Sequence, residues 1–166
     1  MTSRREMLTY ALPAMALAAT AVRAPAARPA ASRMVTRKRF DTYIALYNAE
    51  NPGFAQFYNP DVVMETVPPL TGPAAIVDFR RTLSHYVSEH ITVEDYIADE
   101  HGSAAQFLGE FRCVRDMPIT ALSGLFGKSV KQGQVLRQRG IILYSVKDGK
   151  FSRIRAAPPI ILQDWS

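Results

Sequence analysis

A chain of 166 residues, 48% hydrophobic and 21% charged, has the apolar content for one buried core and lies well outside the disordered and low-complexity classes. Its formal charge of +5 includes three arginines and one glutamate within the first 26 residues, so the remainder carries +3. That mild excess comes without zinc-ligand spacing, a basic heptad or an aromatic-glycine run, and nucleic acid is not an expected partner.

The N-terminus reads as an export signal. Ser3, Arg4, Arg5, Glu6, Met7 and Leu8 resemble the twin-arginine motif without its preferred Phe, and an uncharged Ala- and Leu-rich stretch runs from Leu8 to Val22. This stretch is shorter than the roughly 20 apolar residues of a membrane-spanning helix but suits a signal-peptide core. Ala24 and Ala26 supply the small residues of a cleavage site, and Pro25 disfavours a cut after Ala24. The expected organisation is a signal peptide over 1–26, a flexible Ala/Pro/Arg linker over 27–35 and one domain over 36–166. The mature protein is expected in the periplasm or outside the cell, without stable membrane insertion. A Sec signal that happens to hold two arginines is the alternative.

Within the domain, Thr36 is an N-cap candidate. Phe40, Tyr43, Ile44 and Tyr47 follow at i, i+3, i+4 and i+7, the apolar face of a helix that Asn51-Pro52-Gly53 stops. A short helical turn around Phe54–Phe57 leads to a strand over Val62–Val67, broken by Pro68-Pro69. Thr71-Gly72-Pro73 opens a second helix, with Ile76, Phe79, Leu83 and Tyr86 on its buried face. The period then changes to two. Strands are expected over Ile91–Ala98, Ala104–Arg115, Val135–Val146 and Phe151–Pro158, with a hairpin at Lys147-Asp148-Gly149-Lys150. The stretch from Asp116 to Gly133 reads as an extended connection whose Gly124-Leu125-Phe126-Gly127 suits a lid or a tolerated insertion. Strands clustered after helices argue an α+β fold.

The pattern Phe54-x-x-Phe57-Tyr58-x-x-Asp61, Leu70-Thr71-Gly72-x-x-x-Ile76 and Tyr144-x-x-x-Asp148-Gly149-Lys150-Phe151 resembles the nuclear transport factor 2-like superfamily, its SnoaL-like branch in particular. The resemblance covers about Thr36 to Pro158. It implies a cone-shaped roll, a strongly curved and mostly antiparallel sheet wrapped by about three helices around a ligand cavity. It also implies a possible homodimer through the outer sheet face. Members range from steroid isomerases, epoxide hydrolases and cyclases to binding modules, so fold alone does not assign a reaction.

Taken position by position, the steroid-isomerase pattern puts a hydrogen-bonding tyrosine at Tyr43, a supporting tyrosine at Tyr58 and a third at Arg80. Its general base falls at Thr66 and its second, acidic donor at Ile141, so both acidic groups are missing. Tyr47 shares the apolar face of the first helix with Tyr43. On the Ala104–Arg115 strand, alternation puts Phe107 on one face with Ala105, Phe111 and Cys113, and Glu110 on the other with Arg112. A one-residue slip exchanges those faces. With Glu110 inward, apolar walls make it the candidate base; outward, it is a solvated partner of neighbouring cations. The same question attaches to Arg139 and Arg137 against Gln138 and Tyr144.

The expected site is therefore Tyr43 and Glu110 as catalytic groups, with Tyr47, Tyr58, Thr66, Arg80, Phe107 and Arg139 contacting ligand. The expected ligand is a small hydrophobic molecule, acidic in one variant because Arg80 replaces a tyrosine. No cofactor and no metal are expected: His85, His90 and His101 read as surface residues and no Cys/His cluster exists. Cys113, the only cysteine, reads as a packed strand residue. Two functions stay open, an acid–base enzyme of isomerase, dehydratase or cyclase type and a non-catalytic binding module.

Overall fold

The computed structural model describes residues 34–166, so the expected signal peptide and most of the expected linker lie outside the described residues. Val35, placed in the linker by its Pro-rich neighbours, belongs to the domain: it is 1% exposed in the main core. The Tyr96 hydroxyl donates to its carbonyl.

Helix α1 (Arg37–Asn48) starts at Thr36, whose side chain accepts from the Arg39 N–H at 3.3 Å. Its apolar stripe buries Phe40, Tyr43 and Ile44. A 3-10 helix over Pro52–Phe57 follows, capped by the Asn51 side chain. Strands β1 (Tyr58–Met64) and β2 (Leu70–Thr71) pair antiparallel, and α2 (Gly72–Ser84) begins with Pro73 in its first turn. Strands β3 (Val87–Ala98), β4 (Gly102–Cys113), β5 (Val135–Lys147) and β6 (Lys150–Ala156) then form an antiparallel meander. A last strand, β7 (Ile160–Gln163), adds to β5.

The curved sheet runs β2-β1-β6-β5-β4-β3, with β1 parallel to β6 and β7 on the free part of β5. The α+β cone expected from the family resemblance is the fold. Side chains alternate along β4: Ala105, Phe107, Phe111 and Cys113 point into the cone, while Gln106, Leu108, Glu110 and Arg112 point out. Space for the two phenylalanines comes from glycines. A Cβ on Gly109 would lie 2.9 Å from the Phe111 ring, and one on Gly140 would lie 3.0 Å from the Phe107 ring.

Two apolar clusters fill the cone. The larger joins α1 to β1, β4 and β6 through Phe40, Tyr43, Phe54, Tyr58, Phe107, Tyr144 and Phe151. The smaller gathers around Leu83, Val87, Phe111, Leu136 and Trp165. The Asp116–Gly133 connection is pinned at its base by the Met117–Val130 bridge and lays Leu122 and Phe126 against the smaller cluster.

Candidate functional site

The inward face of β3 carries Val87, Glu89 and Ile91. Asn48, at the end of α1, grips the backbone of Ile91 with both ends of its amide, Nδ2 to the carbonyl at 2.8 Å and Oδ1 from the N–H at 2.9 Å. That clamp fixes α1 against β3 and sets Tyr47, one residue earlier, over Glu89. The Tyr47 hydroxyl donates to Glu89 Oε2 at 3.0 Å.

Arg80 completes the group from α2. It is 2% exposed, and its guanidinium lies 4.8 Å from the centre of the Tyr47 ring, a cation–π contact. Its Nη1 is 3.8 Å from Glu89 Oε2, and its Nη2 is 3.5 Å from the Glu89 carbonyl and 3.6 Å from Glu50 Oε1. These distances are too long for tight hydrogen bonds, and Nε and Nη1 have no partner.

Burial pushes the Glu89 carboxyl above the usual carboxylate range, partly offset by Arg80 and by the Tyr47 hydrogen bond. Burial, with the adjacent carboxylate, also holds Tyr47 well above the ordinary phenol value, so its hydroxyl keeps its proton and donates. Glu89 opens on a cavity of about 480 Å³ whose walls include Phe79, Leu83, Phe111, Leu136 and Trp165, with Gln138 and the Lys128–Asp164 ion pair as polar members. A carboxylate of raised proton affinity in a largely apolar cavity can take a proton from carbon and return it.

The positions singled out from sequence divide three ways. Tyr47 and Arg80 belong to the Glu89 cluster. Thr66 lines the cavity too, but its hydroxyl donates to the Pro68 carbonyl at 2.7 Å. Tyr43 and Tyr58 do come together, hydroxyl to hydroxyl at 3.0 Å, yet they are 3% and 2% exposed and neither lines this cavity. Burial pushes Tyr43 up to about 12. Phe107 points inward but packs in the main core.

Two positions are corrected. Glu110 lies on the outer sheet face, where it meets Arg137 at 2.9 Å and Arg112 at 3.5 Å, so it faces water and cations instead of apolar walls. Arg139 is outside as well, forked onto Glu94 with both contacts at 2.8 Å. The aligned Ile141 is likewise outward, 43% exposed, so that comparison slips by one residue. Its inward neighbours Gly140 and Ile142 are not acidic either.

Glu89 and Asn48 escape the sequence reading, and Gln138 enters it only as the inward alternative to Arg137 and Arg139. The signal available for Glu89 was its spacing of two from Val87 and Ile91, which puts an acid on an otherwise apolar face. His85, His90 and His101 are exposed. Among the described residues no group of His, Cys, Asp or Glu could hold a metal ion.

A curved sheet closed by helices over a cavity defines the α+β cone fold. The family profile described as a SnoaL-like domain matches residues 40–154, and the chain belongs to that family, within the nuclear transport factor 2-like superfamily. Solved structures agree on the fold. A candidate polyketide cyclase from Xanthomonas campestris pv. campestris is 17% identical over 70% of this chain and 84% of its own, with a TM-score of 0.59. A candidate ketosteroid isomerase from Kribbella flavida is 19% identical over 78% and 79%, with a TM-score of 0.51. An epoxide hydrolase of the LEH-like type from M. tuberculosis is 12% identical over 70% and 77%, with a TM-score of 0.53. No curated protein is similar enough in sequence to count as a relative.

Proposed function

We propose that the chain is a cofactor-independent acid–base enzyme of the isomerase, dehydratase or cyclase type, acting on a small hydrophobic substrate with an acidic C–H beside a carbonyl. The observation that carries the reading is Glu89, a buried carboxylate with raised proton affinity opening on an apolar cavity. In this reading Glu89 takes the proton from carbon, giving an enolate, and returns it to the same or a conjugated carbon. Tyr47 orients the carboxylate, and Arg80 keeps part of its population ionised. Gln138 is the donor in the wall for the enolate oxygen, Lys128 being already paired with Asp164, and Arg80 behind Glu89 supplies the positive charge that favours an acidic, enolate-like ligand. The names of the cyclase-type and isomerase-type neighbours support the same class.

Proton exchange tests it. With 2-tetralone as probe in deuterated water, the wild-type protein should accelerate loss of the α-proton NMR signal. Glu89→Gln should lose about 10²-fold or more of that acceleration, the usual weight of a general base. Equal exchange by the variant would remove Glu89 from the chemistry.

A second reading, a non-catalytic module binding the same ligands, draws on Thr66 and the non-acidic Gly140 and Ile142, where the isomerase pattern has acids. Binding of 2-tetralone without exchange would favour it. Export to the periplasm or beyond belongs to either reading, on the strength of Arg4 and Arg5. So does a homodimer through the outer sheet face, where Ile97, Ile141 and Leu143 are 72%, 43% and 39% exposed; light scattering measures that.

A further inference from the structure

The Glu89 cavity has a neighbour. A second chamber of about 690 Å³ lies between α2, the Glu65–Leu70 segment and the connection after β4, walled by Val67, Pro68, Leu70, Ala75 and Leu122 among others. The two chambers share Thr66, Phe79 and Leu125. Phe79, on α2 one residue before Arg80, is thus a partition between them. The carboxylates of the outer chamber are already engaged: Glu65 meets Arg153 and Asp78 meets Arg81, each at 2.7 Å. What remains for a ligand there is chiefly apolar wall.

Small-molecule pockets occupy roughly 300–1,000 Å³. The inner chamber alone, at about 480 Å³, holds a compact ring system, whereas both chambers together exceed that range. We infer that the substrate is elongated: its reacting carbonyl end sits in the inner chamber against Glu89 and an apolar chain passes Phe79 into the outer one. Phe79 and Ala75 then determine the chain length accepted. The inference rests on the proposed function for which end reacts, but the length preference itself is a binding property.

Trp165 is the only tryptophan in the chain and stands in the inner wall, so its fluorescence reports occupancy directly. Straight-chain 2-alkanones of increasing length serve as probes. Each methylene buried in the outer chamber should tighten binding up to about fourfold, until that chamber is full. Phe79→Trp is to be read by ligand protection against heat, since it adds a second indole. It should abolish the gain with chain length, which is read as the slope of the series because Phe79 also walls the inner chamber. Ala75→Leu, which projects into the outer chamber without lining the inner one, should end the gains at a shorter chain and carries the test if Phe79→Trp does not fold. Gains that cease at the short ketones in the wild type, or that persist unchanged in both variants, would overturn the inference. Glu89→Gln separates the two claims. It should keep the length series while losing proton exchange; a flat series with Glu89-dependent exchange sinks the elongated substrate and spares the enzyme.

Discussion

Glu89 holds a carboxylate where ionisation is disfavoured, and that has a thermodynamic sign. Its folded proton affinity is raised above the unfolded value, a pKa of about 4.3. Between those two values the folded state binds more protons than the unfolded one, so the contribution of Glu89 to stability is present below about pH 4.3 and fades as pH rises through the raised value. Glu89→Gln mimics the protonated form. The melting temperature of the variant minus that of the wild type should therefore grow from acid toward neutral pH, and a difference independent of pH would show that burial does not shift Glu89. Tyr43 carries a different expectation. Its hydroxyl is the hydrogen-bond partner of a Tyr58 that is only 2% exposed. Tyr43→Phe strands that group and should cost about 1–3 kcal/mol in urea denaturation, with binding of 2-tetralone unchanged because Tyr43 lies outside the cavity wall.

Among elements, β4 and β5 show how two faces of one strand pair divide the labour. The inward face supplies Phe107, Phe111, Leu136 and Gln138, and the outward face carries Glu110, Arg112, Arg137 and Arg139, whose ion pairs extend to Glu94 of β3. Exposed pairs of this kind contribute at most about 1 kcal/mol each. Glu110→Ala should leave 2-tetralone exchange intact and alter the urea midpoint little; a large loss of exchange would return Glu110 to the site. Strand alternation in the sequence already separated these two faces, and helix periodicity located α1 and the start of α2 but carried α2 on to Tyr86, past its end at Ser84. What it could not supply was which strand face turns inward, because Phe107 and Leu108 make both faces part apolar. The start of β3 was hidden for a related reason. Ser88, Glu89 and His90 form a polar run, so the strand reads as beginning at Ile91, four residues after its true start at Val87, and Glu89 falls outside it. Strand β7 escaped notice because Ile160-Ile161-Leu162 has no alternation and follows two prolines. The cluster of Tyr47, Arg80 and Glu89 joins three elements through space, which no local spacing encodes.

For the molecule as a whole, the proposed export is testable by itself. Replacing Arg4 and Arg5 with Lys should leave uncleaved precursor in the cytoplasm if the twin-arginine pair is read by its receptor. Fractionation showing normal export of the double variant would assign the signal to the general secretory route.

The parallel pairing of β1 with β6, with Tyr58 opposite Phe151, bears on how the chain reaches its native state. The meander β3–β4–β5–β6 is built from hairpins and a single longer connection, so its strands meet after modest loop closures. Strand β1 instead waits for a partner beyond all of them, and its ordering entropy must be met before that distant contact repays it. Folding should then proceed from the meander inward, with β1, α1 and the aromatic seam of Tyr43, Tyr58 and Phe151 joining last. Pulse-labelled hydrogen exchange would show β4 and β5 amides protected ahead of those of β1, and simultaneous protection would contradict that order. The inner chamber, which needs Tyr47 from α1 against Glu89 from β3, would exist only once the slowest contacts of the chain had formed.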